Sequence, residues 1–190
     1  MILKDIDIEE FKNIVYPEYL KLFPKSERKS LELIQKTYNQ GIANIIKIVE
    51  KDEFVGFLII NTLKDNPFAI LDYFAILPKY QSKGYGTKAL KLLKKQNKIN
   101  KDIFIEVEKP GLGEDDIQNE IREKRTKFYE RIGFYKLGFD LDLFKVIYST
   151  YLLPCTNQKF SEEVVIEEIF KIYNVIVGEE RIKNNCKVIF

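Results

Sequence analysis

Residues 71–90 read LDYFAILPKYQSKGYGTKAL, and the reading of this stretch decides the fold. An apolar run ends at Ile76, passes Pro78 and meets Gly84 and Gly86 just before a lysine-rich segment. The pattern predicts a strand ending at Ile76, a glycine turn, and an amphipathic helix from Tyr85 to about Gln96. A helix start leaves backbone N–H groups without intrahelical acceptors and carries the positive end of the helix dipole. Gly84 and Gly86 permit backbone conformations and close approaches that a side chain would hinder. Lys79, Lys83 and Lys88 add positive charge around the turn. A pyrophosphate suits such a place. Two familiar phosphate motifs do not fit: no third glycine follows in the dinucleotide-binding frame, and no Lys-Ser or Lys-Thr follows as in a P-loop. On spacing alone, an anion cradle and a plain glycine turn both remain open.

Outward from the turn, residues 1–8 alternate as a first strand. EEFKNIVYPEYLKLF, from Glu9, has a helical period that Pro17 splits into two short helices or a kink. SERKSLELIQKTY is predicted as a helix capped by Ser26. ANIIKIVE, EFVGFLIINTL and PFAILDYFAI give three strands rich in β-branched and aromatic residues. In the helix after the turn, Ala89, Leu92 and Leu93 face inward. DIFIEVE is a further strand, with Ile103, Ile105 and Val107 on one face and Phe104, Glu106 and Glu108 on the other. KPGLGEDDIQNE reads as a loop or frayed helix start, and Arg122 to Ile132 as a helix stopped by Gly133. FYKLGFDL and KVIYSTYLLP are the last two strands. The tail, SEEVVIEEIFKIYNVIVG, is a helix capped by Ser161 with Val164, Val165, Ile169, Ile172 and Val175 on its apolar side. This order makes a mixed α/β chain with helices on the faces of a sheet.

The bulk composition narrows the function. With 190 residues and 45% hydrophobic content, the chain fills one good core with at most an appendage. A net charge of +2 gives no general reason to expect nucleic acid. The basic run KALKLLKKQNKINK has a buried leucine side, which favours a solvated helix face over a nucleic-acid contact. There is no histidine, and Cys155 and Cys186 lack metal-ligand spacing, so no metal is expected and a histidine base is excluded. The N-terminus meets acid after one short apolar pair, unlike a signal peptide, and no apolar run is long enough for a bilayer. The expected location is the cytoplasm, with no membrane partner.

LDYFAILPKYQSKGYGTKAL resembles the acetyl-CoA-binding motif of the GNAT N-acetyltransferases, Gln/Arg-x-x-Gly-x-Gly/Ala after a strand: Gln81, Gly84 and Gly86 match it. RTKFYERIGF, residues 125–134, resembles the family's later helix, with Tyr129 four residues before Gly133. The resemblance covers about residues 1–153 and implies a GNAT-like fold, with a central, mostly antiparallel sheet flanked by helices. Residues 154–190 lie outside it and would be a C-terminal helical extension, packed on the same domain or on a partner, with a homodimer one alternative.

The resemblance implies acetyl transfer from acetyl-CoA to a primary amine of a small molecule or peptide. The pantetheine arm would bond the main chain near Phe74 and Ile76. The pyrophosphate would rest on the N–H groups of Gln81, Ser82, Lys83, Gly84, Tyr85, Gly86 and Thr87. Tyr129 would protonate the departing sulfur. The base stays open among Glu106, Glu108, Asp72, Glu27 and water. Glu27 lies in FPKSERKS, which resembles small acetyltransferases of low-GC bacteria. One departure is Arg122, which stands where the family's helix often has an asparagine. The alternative is a non-catalytic acetyl-CoA-binding or protein-interaction module on the same fold.

Overall fold

The computed structural model describes residues 1–96 and 99–190. Asn97 and Lys98, part of the basic run, lie outside the described residues. The architecture is the expected mixed α/β one, with mostly antiparallel strands, flanking helices and a helical C-terminal segment. The chain divides into two units: Met1–Asp65 with Leu71–Lys98, and Asn66–Ile70 with Ile99–Phe190.

In the first unit, β1 (Ile2–Asp5), β2 (Ala43–Glu50) and β3 (Glu53–Thr62) pair antiparallel in turn, with a bulge at Ile48/Val49. The later half of β4 (Phe68–Ile76) belongs here, and Leu77 N–H just beyond it donates to Val55 C=O at 2.9 Å. Helix α1 (Ile8–Glu10) passes through a π-helical segment, Phe11–Val15, into α2 (Tyr16–Leu22). Pro17 accordingly does not end the helix. It occupies the first turn of α2, where its missing N–H costs little, and the wide turn absorbs the change. Phe11, Val15, Tyr19, Ile45, Phe57 and Tyr73 form the core of this unit.

Helix α3 runs Leu31–Asn39, and its cap is Ser30 rather than Ser26: Ser30 Oγ accepts the Leu33 N–H at 3.2 Å. The later start has a tertiary cause. Tyr19 Oη, fully buried, accepts the Lys29 N–H at 2.7 Å, and the Tyr73 hydroxyl donates to Glu27 C=O at 2.7 Å. Residues around 27–29 thus bond to tyrosines instead of to a helical turn. Helix α4 (Tyr85–Gln96) closes the unit. It buries Ala89, Leu90 and Leu93, whereas Leu92 is only half-buried, contrary to its expected inward direction.

In the second unit, the first half of β4 pairs in parallel with β5 (Asp102–Glu108), Phe68–Ile70 against Asp102–Phe104. Then β5, β7 (Val146–Leu153), β6 (Tyr135–Leu143) and β8 (Cys186–Ile189) follow antiparallel. Helix α5 runs Asp116–Ile132, beginning six positions before the expected Arg122, with Asp115 as its cap, whose carboxylate accepts the Gln118 N–H at 2.7 Å. Gly133, at φ +108°, ends it as expected.

Helix α6 (Glu162–Val177) starts after Ser161, but its face is rotated from the sequence reading: Tyr173 and Ile176 join Val165, Ile169 and Ile172 inside, while Val164 and Val175 are exposed. Helix α7 (Glu179–Asn185) and β8 were not anticipated. Two buried polar residues fasten this unit. Asp102 Oδ1 accepts the N–H groups of Cys155 and Thr156, each at 2.8 Å. Asn66 donates to the Glu168 carbonyl at 2.8 Å and carboxylate at 2.9 Å. No helix among the described residues is long and apolar enough to cross a membrane.

Candidate active site

The turn after β4 is built from its backbone. Leu77 leads into a short 3-10 turn, Pro78–Tyr80, and the Gln81 side chain folds back to donate to Ile76 C=O at 2.9 Å. Gln81 therefore ties the turn to the last carbonyl of β4. Ser82 has φ +60° and Gly84 φ +77°. Left-handed residues in a turn let successive N–H groups face one side, an arrangement that suits an anion. The first intrahelical bond runs from Lys88 N–H to Gly84 C=O at 3.0 Å. The N–H groups of Tyr85, Gly86 and Thr87 precede it and have no helical acceptor.

A Cβ built on Gly84 meets nothing within 4 Å, so the turn is open there. The free helix-start N–H groups and nearby lysines give the turn a positive character. The surrounding lysines differ in their commitments. Lys88 Nζ sits 2.8 Å from the Glu50 carboxylate. Lys83 Nζ donates to Lys79 C=O at 2.8 Å, and Lys79 Nζ lies 4.5 Å above the Tyr80 ring. Phe74 and Ile76 are half-buried in the last part of β4.

Of the other candidates of the first unit, the carboxylate of Asp72 is tied down and Glu27 lies at the surface. Asp72 accepts from Lys29 Nζ at 2.5 Å and from Asn61 Nδ2 at 2.8 Å, a paired carboxylate rather than a waiting base. Glu27 is exposed, with its carbonyl held by Tyr73.

In the second unit, Tyr129 projects from the last turns of α5. Its half-buried ring meets those of Phe128 and Phe134 edge-on, with centroids 5.1 and 5.3 Å away. The αL cap at Gly133 makes this possible by turning the chain so that Phe134 returns beside the helix, its N–H donating to Tyr129 C=O at 3.2 Å. Burial pushes the Tyr129 hydroxyl up to about 12; the Arg125 charge pulls it down and the Glu106 charge pushes it up. The phenol is thus protonated at neutral pH, with a carboxylate in its electrostatic neighbourhood. Glu106 is half-buried on β5, opposite Thr150 of β7.

Glu108, two residues on, is committed elsewhere. Its carboxylate lies 2.8 Å from Arg122 Nη2 and 3.6 Å from Arg125 Nη1. Arg122 also donates to Lys109 C=O at 3.3 Å, so it fastens the end of β5 to α5. Sequence reasoning flagged Arg122 only as a departure and missed this pairing, although the acid at 108 and the arginines at 122 and 125 were visible charges. It also missed Asn119, whose Oδ1 accepts the N–H groups of Gly111 at 2.9 Å and Gly113 at 2.8 Å. Among the described residues, no group of three or more acidic or cysteine side chains could hold a metal ion.

The model of the acetyltransferase (GNAT) family matches residues 8–139, more than half of the chain. None of the curated proteins gives a significant match. Among solved structures, a GNAT-family protein from Bacteroides thetaiotaomicron is 22% identical, with TM-score 0.75 over 94% of this chain and 99% of its own. A spermidine N-acetyltransferase chimera of Vibrio cholerae SpeG and hSSAT is 14% identical, with TM-score 0.62 over 81% and 95%. A GNAT acetyltransferase from Elizabethkingia anophelis, solved with acetyl-CoA bound, is 17% identical, with TM-score 0.56 over 80% and 96%. At these identities the structures establish the shared fold, and the family match carries the assignment. The chain belongs to the GNAT family of acetyltransferases, enzymes that use acetyl-CoA as the acetyl donor.

Proposed function

We propose that the protein transfers the acetyl group of acetyl-CoA to a primary amine of a small molecule or peptide, with Tyr129 as the proton donor. The observation that carries this reading is the Tyr129 phenol itself, set between the rings of Phe128 and Phe134 and within the field of the Glu106 carboxylate. Acetyl-CoA supplies an activated thioester and a leaving thiolate. The N–H groups from Ser82 to Thr87 take up the diphosphate charge, that of Gln81 already donating to Pro78 C=O at 3.2 Å, and the main chain of Phe74 and Ile76 aligns the pantetheine arm. Tyr129 Oη donates its proton to the thiolate as it departs.

An amine must lose its own proton before it attacks. Glu106 is the favoured acceptor of that proton, directly or through a water, because its charge bears on the Tyr129 phenol, whereas Glu108 and Asp72 sit in ion pairs with arginines and a lysine. Glu108 then acts through Arg122, positioning the end of β5. Glu27, exposed near the early helices, is a candidate for attracting a cationic acceptor. Residues 1–153 carry the transferase in this reading, with 154–190 as its extension.

The test is thiol release from acetyl-CoA with spermidine, an aminoglycoside and a peptide with a free N-terminus. For an accepted amine, Tyr129→Phe is expected to lower kcat about 100-fold, the scale of general acid catalysis, with acetyl-CoA affinity retained. Glu106→Gln should lower kcat on the acidic side of the pH profile. Unchanged turnover by Tyr129→Phe removes Tyr129 as the acid.

A further inference from the structure

The segment joining α2 to α3, FPKSERKS at residues 23–30, contains no helix or strand, yet it is held more firmly than a surface loop requires. Two buried tyrosines hold it. Tyr73 Oη donates to Glu27 C=O at 2.7 Å and accepts the Lys29 N–H at 3.1 Å. Tyr19 Oη accepts the same N–H at 2.7 Å and donates to Lys29 C=O at 3.2 Å. The two rings meet edge-on, with centroids 4.9 Å apart. The Lys29 side chain adds a third tie, its Nζ 2.5 Å from the Asp72 carboxylate.

These bonds fix the residue between them. Glu27 C=O belongs to the peptide plane before Arg28, and Lys29 N–H to the plane after it. With both planes anchored, the backbone of Arg28 has no freedom left. Its side chain is half-buried, and its Nε–H is enclosed with no hydrogen-bond partner among the described residues. Arg122 and Arg125, by contrast, share the Glu108 carboxylate. A buried donor without an acceptor forfeits the bonds that water gave it, so such a group calls for an explanation.

The place of Arg28 supplies one. Asp72 and Tyr73, which anchor the segment, directly precede Phe74 on β4, and at about 3.3 Å per residue the backbone of Ile76 is about 10 Å beyond Tyr73. Arg28 is therefore fastened beside the part of β4 assigned above to the pantetheine arm. A guanidinium offers Nε–H and Nη–H as a parallel fork, which a carboxylate fills with two hydrogen bonds. Lys29 is already neutralised by Asp72, so Arg28 adds one charge. A monoanionic carboxylate matches that better than a phosphate bearing nearly two charges.

We propose that Arg28 binds a carboxylate of the acceptor, so that the protein acetylates amines of amino acids or short peptides with a free C-terminus in preference to amines that lack a carboxylate. The proposal rests on the acetyl-transfer reading and adds to it the substrate class.

The experiment measures thiol release from acetyl-CoA with the standard amino acids, their α-carboxamides, and dipeptides with free and amidated C-termini. Amidation removes the carboxylate and leaves the amine. The wild type should use its preferred acid with a kcat/KM about 10- to 100-fold above that of the matching amide, the scale of a charge-assisted pair. Whether amino acids or dipeptides give the larger ratio identifies the source of the carboxylate. Arg28→Met keeps an unbranched stem but no fork, and should erase the preference by raising KM for the acid, with kcat little changed. Arg28→Lys keeps the charge without the fork and should fall between. Because Arg28→Met also removes an unpartnered buried donor, its urea midpoint should not fall below that of the wild type.

Equal use of acids and amides by the wild type overturns the proposal, as does no turnover of any acid. So does a preference that survives Arg28→Met, or an Arg28→Met midpoint well below the wild type, which would make the side chain a structural one. Each of these leaves the acetyl-transfer reading standing if spermidine releases thiol or acetyl-CoA raises the melting temperature. No thiol release with any amine, together with no stabilisation by acetyl-CoA, overturns both.

Discussion

Replacing Gly56 with alanine tests why β3 carries a glycine where it passes the end of β4. A Cβ at Gly56 would lie 2.3 Å from the Ala75 carbonyl oxygen, 2.9 Å from Ile76 Cδ1 and 3.1 Å from Ile76 Cα. The isoleucine tip can rotate away, but the two backbone atoms cannot. Carbon–oxygen contacts settle near about 3.3 Å, so one strand must move by about 1 Å. The Leu77 N–H bond to Val55 C=O, now 2.9 Å, lies immediately beside this contact and would lengthen past hydrogen-bonding range. Overpacking costs about 1–3 kcal/mol, and the lost bond about 1 kcal/mol net. Removing a glycine from a strand returns about 0.5–1 kcal/mol. The balance is a loss of about 2–3 kcal/mol. In urea denaturation followed by circular dichroism, the midpoint should fall by about 1 M at unchanged slope. The displaced backbone is that of Ala75 and Ile76, so under the proposed pantetheine contact acetyl-CoA affinity should fall as well. A midpoint equal to or above the wild-type value would refute this reasoning.

Asp102→Ala should destabilise by about 2–3 kcal/mol, because it strands the two N–H groups that the buried carboxylate now accepts. Asp102→Asn, which keeps an acceptor oxygen, should lose less, and equal midpoints for the two variants would contradict the account. Alkaline stability follows from the tyrosines. Burial raises Tyr129 and Tyr19 to about 12 each, above the ordinary value of about 10. A raised phenol contributes stability that is whole below about pH 10 and is lost as pH climbs to the folded value, up to about 3 kcal/mol per group. Denaturation midpoints at pH 8, 10 and 11 should therefore be level and then drop, and a flat profile through pH 11 would refute it.

How much of this was legible in the sequence depended on how local the cause was. Strand β2 was read at its actual bounds, Ala43–Glu50, because β-branched side chains and a charged turn mark it locally. The glycine turn was legible for the same reason: it is made of backbone, and the residues that shape it are consecutive. The start of α3 was not, since the hydroxyls of Tyr19 and Tyr73 that hold residues 27–29 come from other elements. The first turns of α5 were hidden because Ile117 and Ile121 stay exposed, so no buried stripe gives the helix a period. Strand β8 has four residues and takes its hydrogen bonds from β6, more than forty positions earlier. Helix α6 carries apolar residues on more than one side, and only its packing decides that Tyr173 and Ile176 go inside while Val164 and Val175 do not. Among the candidate acids, the pairing of Glu108 with Arg122 and of Asp72 with Lys29 was equally invisible, because each joins separate elements.

The most direct test of the central claim is a thermal shift of the wild-type protein with acetyl-CoA, coenzyme A and NAD at equal concentration. At a hundredfold excess over the dissociation constant, binding to the native state adds about 2.7 kcal/mol. For a chain of this length that is roughly 5–10 °C. The account predicts a rise of this size with acetyl-CoA and coenzyme A and little with NAD. No shift with either thioester or free coenzyme, or the same shift with NAD, would contradict it.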